Sequence, residues 1–175
     1  MTWRGSTTPL DRVLASLVYL LPLMDAILFY SGFGDGPGFF FKQFPELQVV
    51  LLPLQPFLWV YVTILRLFSF GGLGLGGLLI FFALFFLVVR NENIRHFIRF
   101  NTMQSIVIGI ALSLVSIIWF YALRFVFGGT LIEEVIFNVL FLGTVAAVIY
   151  SIVQSALGRY AEIPTISEAA YMQVR

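Results

Sequence analysis

Four long apolar runs, parted by short polar breaks, constrain this chain more than any other feature. They are Val13 to Tyr30, Leu78 to Val89 with its glycine-rich approach from Phe70 to Gly77, Phe100 to Phe125, and Leu131 to Leu157. A helix needs roughly 20 apolar residues to cross the hydrocarbon core, and a chain in lipid must satisfy its own backbone hydrogen bonds. The expectation is an all-α, polytopic integral membrane protein with four transmembrane helices, at about 11–30, 71–90, 100–125 and 131–157. The whole chain, 1–175, reads as a single membrane domain with a cytoplasmic tail over 159–175.

The breaks are chemically distinct. Ser31 to Gly38 holds four Gly and a Pro, which no regular element survives. Arg90-Asn91-Glu92-Asn93 is a polar hinge, and Phe127-Gly128-Gly129-Thr130 is a short turn. A fifth apolar stretch, Leu47 to Leu65, carries Pro53 and Pro56, with Pro45 just before it. Prolines three apart remove backbone donors and disfavour a straight helix. Residues 47–66 are therefore expected to form a Pro-broken re-entrant or interfacial segment, with Trp59, Tyr61 and Arg66 at headgroup level.

Composition excludes several functions. The chain is 60% hydrophobic and 11% charged, against about 25% charged for soluble domains. Its net charge of +1 makes nucleic acid an unsuitable partner. The absence of Cys removes disulfides, thiolate metal sites and thiol nucleophiles, and one His excludes a bis-histidine haem. Met1 to Thr8 is polar and short, and no small-residue cleavage site follows the first run, so that run reads as retained.

Charge sets the expected topology. With four spans and a cytoplasmic N-terminus, Arg4, Arg12, Arg90, Arg95, Arg99, Arg159 and Arg175 lie inside. Lys42, Arg66 and Arg124 then lie outside, seven against three. Letting Leu47 to Leu65 cross gives six against four. The positive-inside rule prefers four spans with both termini cytoplasmic.

Few residues offer chemistry. Asp25 lies within the first span, and a carboxylate in lipid needs a partner; Arg66 and Arg124 are the expected ones, with a transported ion or a substrate contact as the functional alternative. Asn101 and Gln104 share the cytoplasmic depth of Ser151, Gln154 and Ser155, which allows hydrogen bonds between the third and fourth helices. Glu133 and Glu134 open the fourth helix, where carboxylates suit the positive helix end, near Arg124. Gly72 and Gly76 have the spacing that lets helices approach closely in lipid. His96 has no nucleophile or acid at triad spacing, and no catalytic or metal constellation stands in the sequence. Twenty Phe point to tight packing, lipid or pigment contact. At the ends, Thr8-Pro9-Leu10-Asp11 reads as a capped helix start, and Thr165 to Glu168 as a capping box before a short helix.

Four segments in this order resemble the Tic-twenty family, the polytopic component of the chloroplast inner-envelope protein-import translocon, and its cyanobacterial relatives. They are Leu20-Leu21-Pro22-Leu23-x-Asp25; Phe81-Phe82-Ala83-Leu84 running to Val88-Val89-Arg90-Asn91; Arg99-Phe100-Asn101-x-Met103-Gln104; and Ile163-Pro164-x-Ile166-Ser167-Glu168-Ala169-Ala170-x-Met172-Gln173. The resemblance covers nearly the whole chain. It implies four transmembrane helices, both termini on the stromal or cytoplasmic side, and a role in moving or assembling proteins. A cyanobacterial or plastid-encoded member is expected, in a thylakoid, plasma or plastid membrane. The expected partners are the bilayer and other membrane subunits, with no enzymatic activity and no cofactor beyond bound lipid or pigment. Two alternatives stand beside this reading: a small-molecule or ion transporter using Asp25, and a structural subunit of a photosynthetic membrane complex.

Overall fold

The computed structural model describes residues 7–29, 38–70 and 73–174. The chain is all-α. Its β pairing, among the described residues, is a two-residue ladder of β1 (Ser69–Phe70) and β2 (Leu73–Gly74), antiparallel with Ser69 opposite Gly74. Among the described residues, three helices are long and apolar enough to cross a membrane: Pro45–Leu67, His96–Phe127 and Leu131–Ala156.

The first run starts as its sequence dictates. Thr8, in extended conformation, accepts a hydrogen bond from the Asp11 amide at 3.3 Å, and the Asp11 carboxylate accepts from the Thr8 amide at 2.6 Å. Pro9 then opens helix α1 (Pro9–Leu17). The helix breaks at Val18-Tyr19, and α2 (Leu20–Ile27) continues beyond. Pro22 explains the break. It has no N–H for the carbonyl four residues back, which is that of Val18, and its ring crowds that carbonyl. The Val18 carbonyl accepts instead from the Leu21 amide at 3.3 Å and from the Ser105 hydroxyl at 2.7 Å.

Helix α3 (Phe39–Gln43) follows, then a continuous helical stretch over Pro45–Leu67. Its first part, Pro45–Leu54, is a 3₁₀-helix, and α4 (Gln55–Leu67) completes it. This differs from the broken segment the prolines suggest. Pro45 and Pro56 fall in first-turn positions, where a missing N–H costs little, and only Pro53 lies inside a helix. The prolines change the pitch without ending the helix.

The expected span over 71–90 is shorter in the structure. Its apolar helix runs Gly76–Val89, as α5 (Gly76–Leu84) and a π-helical turn (Phe85–Val89). At about 1.5 Å per residue it reaches about 21 Å, short of the roughly 30 Å core. Gly72 lies outside the described residues. Gly76 is buried, and a Cβ there would meet the Leu65 Cα at 2.5 Å. The α4 and α5 backbones therefore touch at this glycine.

Helix α6 (His96–Ile118) runs on through a π-helical turn (Trp119–Leu123) into α7 (Arg124–Phe127). Gly129, at φ +75°, turns the chain into α8 (Leu131–Ala156). The Gly129 amide donates to the buried Glu133 carboxylate at 2.6 Å, so Glu133 closes this turn. Arg124, expected beside it, lies over the Phe120 ring, 5.4 Å from its centroid.

Helix α9 (Ile166–Gln173) ends the described chain and packs on the start of α6. The Thr165–Glu168 capping box does not form. Thr165 adopts φ +69°, a left-handed conformation that leaves its side chain out of the cap. Ser167 instead accepts from the Ile163 amide at 2.7 Å and donates to the Ala161 carbonyl at 3.2 Å, bracing the turn before the helix.

The core has two halves. Towards the Gly129 end it is aromatic: Phe137 lies 5.3 Å from Phe29, 5.0 Å from Phe39 and 5.0 Å from Trp119, while Phe40 stacks on Phe141 at 4.2 Å. Towards the other end a buried polar seam lies beside a second apolar cluster of Val89, Phe100, Met103, Ile106, Ala170 and Val174.

Candidate functional site

The polar seam lies where the broken first run meets the start of α6 and the end of α8. Asn101, Gln104, Tyr19, Ser151 and Ser155 are all fully buried there. The Tyr19 hydroxyl donates to Asn101 Oδ1 at 2.8 Å, and Gln104 Oε1 lies 3.2 Å from it. Ser155 donates to the same Asn101 oxygen at 2.9 Å, and Asn101 Nδ2 donates to the Phe97 carbonyl at 2.7 Å. Asn101 thus ties three helices through one amide. The expected bonding between the third and fourth helices is present for Asn101 and Ser155.

Two members differ from expectation. Gln154 faces away from the seam, into an open cavity of about 390 Å³ lined also by Thr7, Tyr150, Arg159 and Tyr160. Helical geometry explains this. Ser151 and Ser155 are four apart and share a face, while Gln154 is turned about 100° from Ser155. Tyr19 is the partner that sequence reasoning missed. Its one signal was its place three residues before Pro22, where a helix opens. Two atoms of the seam, Gln104 Nε2 and Ser151 Oγ, are buried with no protein hydrogen-bond partner. Ser151 lies within reach of the Tyr19 hydroxyl without hydrogen-bond geometry.

Asp25 occupies a second polar position, deeper in the bundle. Its partner is the Tyr61 hydroxyl, which donates to Oδ1 at 2.5 Å. The expected pairing with Arg66 or Arg124 is corrected accordingly. Arg66 is solvent- or lipid-exposed in the last turn of α4, and Arg124 sits on Phe120. The other Asp25 oxygen would lie 3.3 Å from a Cβ at Gly109, so α6 covers this carboxylate closely. Tyr61 belongs to the proline-rich segment, and this bond joins that segment to α2.

Charged groups gather at the end of the bundle beside the polar seam. Arg95 pairs with Asp11 at 2.5 Å, and the buried Arg99 donates from Nε to the Val89 carbonyl at 2.8 Å. His96 Nδ1 and the Tyr160 hydroxyl are 3.0 Å apart, and the Tyr160 ring also meets Phe97 and Phe100. Residues 7–12, the 89–99 loop and residues 158–160 therefore meet at one end. Among the described residues no group of His, Cys, Asp and Glu is arranged to hold a metal ion.

Comparison with known proteins agrees with this architecture. The family model described as the Tic20-like chloroplast import apparatus matches residues 8–170. A Tic20 family protein of Synechocystis sp. is 49% identical over 165 residues, covering 94% of this chain and 93% of the relative. The Tic20 family protein Ycf60 of Gracilaria tenuistipitata var. liui is 34% identical over 172 residues, covering 95% and 76%. Protein TIC 20-v, chloroplastic, of Arabidopsis thaliana is 28% identical over 165 residues, covering 94% and 71%. With its apolar helices, this makes the chain an integral membrane protein of plastid or cyanobacterial membranes. Matched from the Thr8 cap to the buried Ala170 of α9, and nearly half identical to one member along its length, the chain belongs to the Tic20 family.

Proposed function

We propose that this chain is an integral membrane subunit of a protein-translocation or membrane-protein assembly complex in a cyanobacterial thylakoid or plasma membrane, or a plastid membrane. It acts by packing and by lining a path, without covalent chemistry. The observation that carries this reading is the buried polar seam of Tyr19, Asn101, Gln104, Ser151 and Ser155 at the break of the first span. Polar side chains are costly in lipid and concentrate where a membrane protein does something other than sit in it. Family membership supplies the class of task.

The reading includes a topology. Both termini and the Arg90 to Arg99 loop face the cytoplasm or stroma, supported by the seven-to-three charge count and by the Asp11–Arg95 pair. One net crossing then lies between Leu28 and Arg90, with Pro45–Leu67 entering from the outer side. The Asp25–Tyr61 bond supports that entry, because it lays α4 beside the outer half of the first span.

Site-specific photo-crosslinking in native membranes tests the function. A crosslinker at Ser151, in the seam, or at Gln154, in the open cavity beyond it, should capture polypeptides in transit, and one at Trp59 or Phe125 should capture other membrane subunits. Solute flux in liposomes that Asp25→Asn abolishes would instead establish the transporter alternative. Stoichiometric pigment in a native pull-down, without captured polypeptide, would establish the photosynthetic one.

A further inference from the structure

A groove of about 540 Å³ runs along the outside of the bundle between α1 and the end of α8. Its size falls within the roughly 300–1,000 Å³ of ordinary ligand sites. Pro9, Val13, Leu17, Leu20, Ile152 and Ala156 form its wall, and the surface it offers is almost wholly apolar. Arg12 is different, and it stands at the end of the groove where the charged residues gather.

Arg12 is held in place. Its Nε donates to Thr7 Oγ1 at 3.1 Å. Gly158, at φ +73°, brings the α8 terminus so close that a Cβ there would lie 2.9 Å from Arg12 Nε and 2.5 Å from Thr7 Oγ1. This fixes the guanidinium at the mouth of the groove, with Nε committed to Thr7. Among the described residues Arg12 has no carboxylate partner. The acid beside it in sequence, Asp11, is committed to Thr8 and Arg95. A long apolar trough, open to lipid and ending on one pinned cation at headgroup level, matches an amphiphile with an acyl chain and an anionic head.

We propose that the α1–α8 groove is a binding site for one anionic glycerolipid, its acyl chain along Val13, Leu17 and Ile152 and its headgroup on Arg12. An Arg fork suits a phosphate or sulfonate head, which it binds through two donors at once. The inference does not depend on the translocation reading.

Native mass spectrometry of the purified full-length chain, delipidated and then offered phosphatidylglycerol or phosphatidylcholine, tests it. The wild type should retain one phosphatidylglycerol in about fivefold preference, the factor that one basic side chain contributes at an anionic surface. Arg12→Gln should erase the preference while the far-ultraviolet circular dichroism stays unchanged. Ile152→Trp, which fills the trough, should lower retention of both lipids. Arg90→Gln, an exposed arginine outside the groove, should change nothing. Equal retention of the two lipids by the wild type would overturn the proposal. So would a preference that survives Arg12→Gln, or one that Arg90→Gln lowers as much.

Discussion

Asn101 is the residue on which the polar seam depends. Its one side-chain oxygen accepts from Tyr19 and Ser155, and its nitrogen satisfies the Phe97 carbonyl. Asn101→Leu would keep the volume, strand the buried Ser155 hydroxyl and leave Tyr19 only its longer bond to Gln104 Oε1. Intramembrane hydrogen bonds average about 0.6 kcal/mol and reach about 1.7. Asn101→Leu should therefore lower the midpoint of thermal unfolding in detergent, and Tyr19→Phe should lower it less. In a double-mutant cycle the pair should be less than additive by about 0.6–1.7 kcal/mol; additivity would show that the bond contributes nothing. Asp25 poses the parallel question with a different partner. Asp25→Ala and Tyr61→Phe should be strongly non-additive, and Asp25→Ala with Arg124→Gln additive. The position of Asn101 was legible because depth along a helix follows from counting residues. Tyr19 and Tyr61 were not, because a Tyr in an apolar run carries no mark of the helix its hydroxyl will meet.

At the scale of elements, proline and glycine had consequences that their positions decide. Pro22 breaks the first span because it stands four residues after Val18, in the middle of a helix, and Ser105 joins the Leu21 amide on the carbonyl it leaves. Pro22→Ala restores the missing donor. It should therefore rescue most of the loss caused by Ser105→Ala, as read from paired unfolding curves, whereas Ser105→Ala alone should cost roughly the 0.6 kcal/mol of an average intramembrane bond. Pro45 and Pro56 stand in first turns and leave Pro45–Leu67 continuous. Composition alone could not separate these cases, since both read as proline in an apolar run. Gly76 was legible as a contact point, though its partner was not. Gly76→Val should push α4 from α5 and destabilise by about 1–3 kcal/mol, the usual cost of overpacking. The Thr165 box failed for a local reason that only backbone angles reveal, and the short helix formed regardless, with Ser167 bracing the turn before it.

The proposed topology gives the whole molecule a sidedness, argued from the distribution of its arginines. Single cysteines at Asn93 and Glu162 should react with an impermeant thiol reagent from one side of sealed vesicles, and cysteines at Glu46 and Gly129 from the other. Labelling of Asn93→Cys and Gly129→Cys from the same face would refute the shared orientation of the termini. The all-α class, the two long spans His96–Phe127 and Leu131–Ala156 and the helix at the tail were legible, because hydropathy and lipid leave a backbone few choices. How the middle of the chain divides its crossing was not, since a 3₁₀ stretch and a short helix of 14 residues trade length in a way no residue count predicts. The two halves of the core also answer differently to their surroundings. Towards Gly129 the helices meet through Phe29, Phe39, Phe137 and Trp119, and a lipid tail makes contacts of the same kind. Towards Arg95 an apolar cluster around Phe100 and Ala170 is joined by hydrogen bonds that no hydrocarbon can replace. The bilayer therefore competes for every contact of one half and for only the apolar share of the other. A change of acyl chain acts as a selective solvent, loosening the aromatic end more than the hydrogen-bonded one.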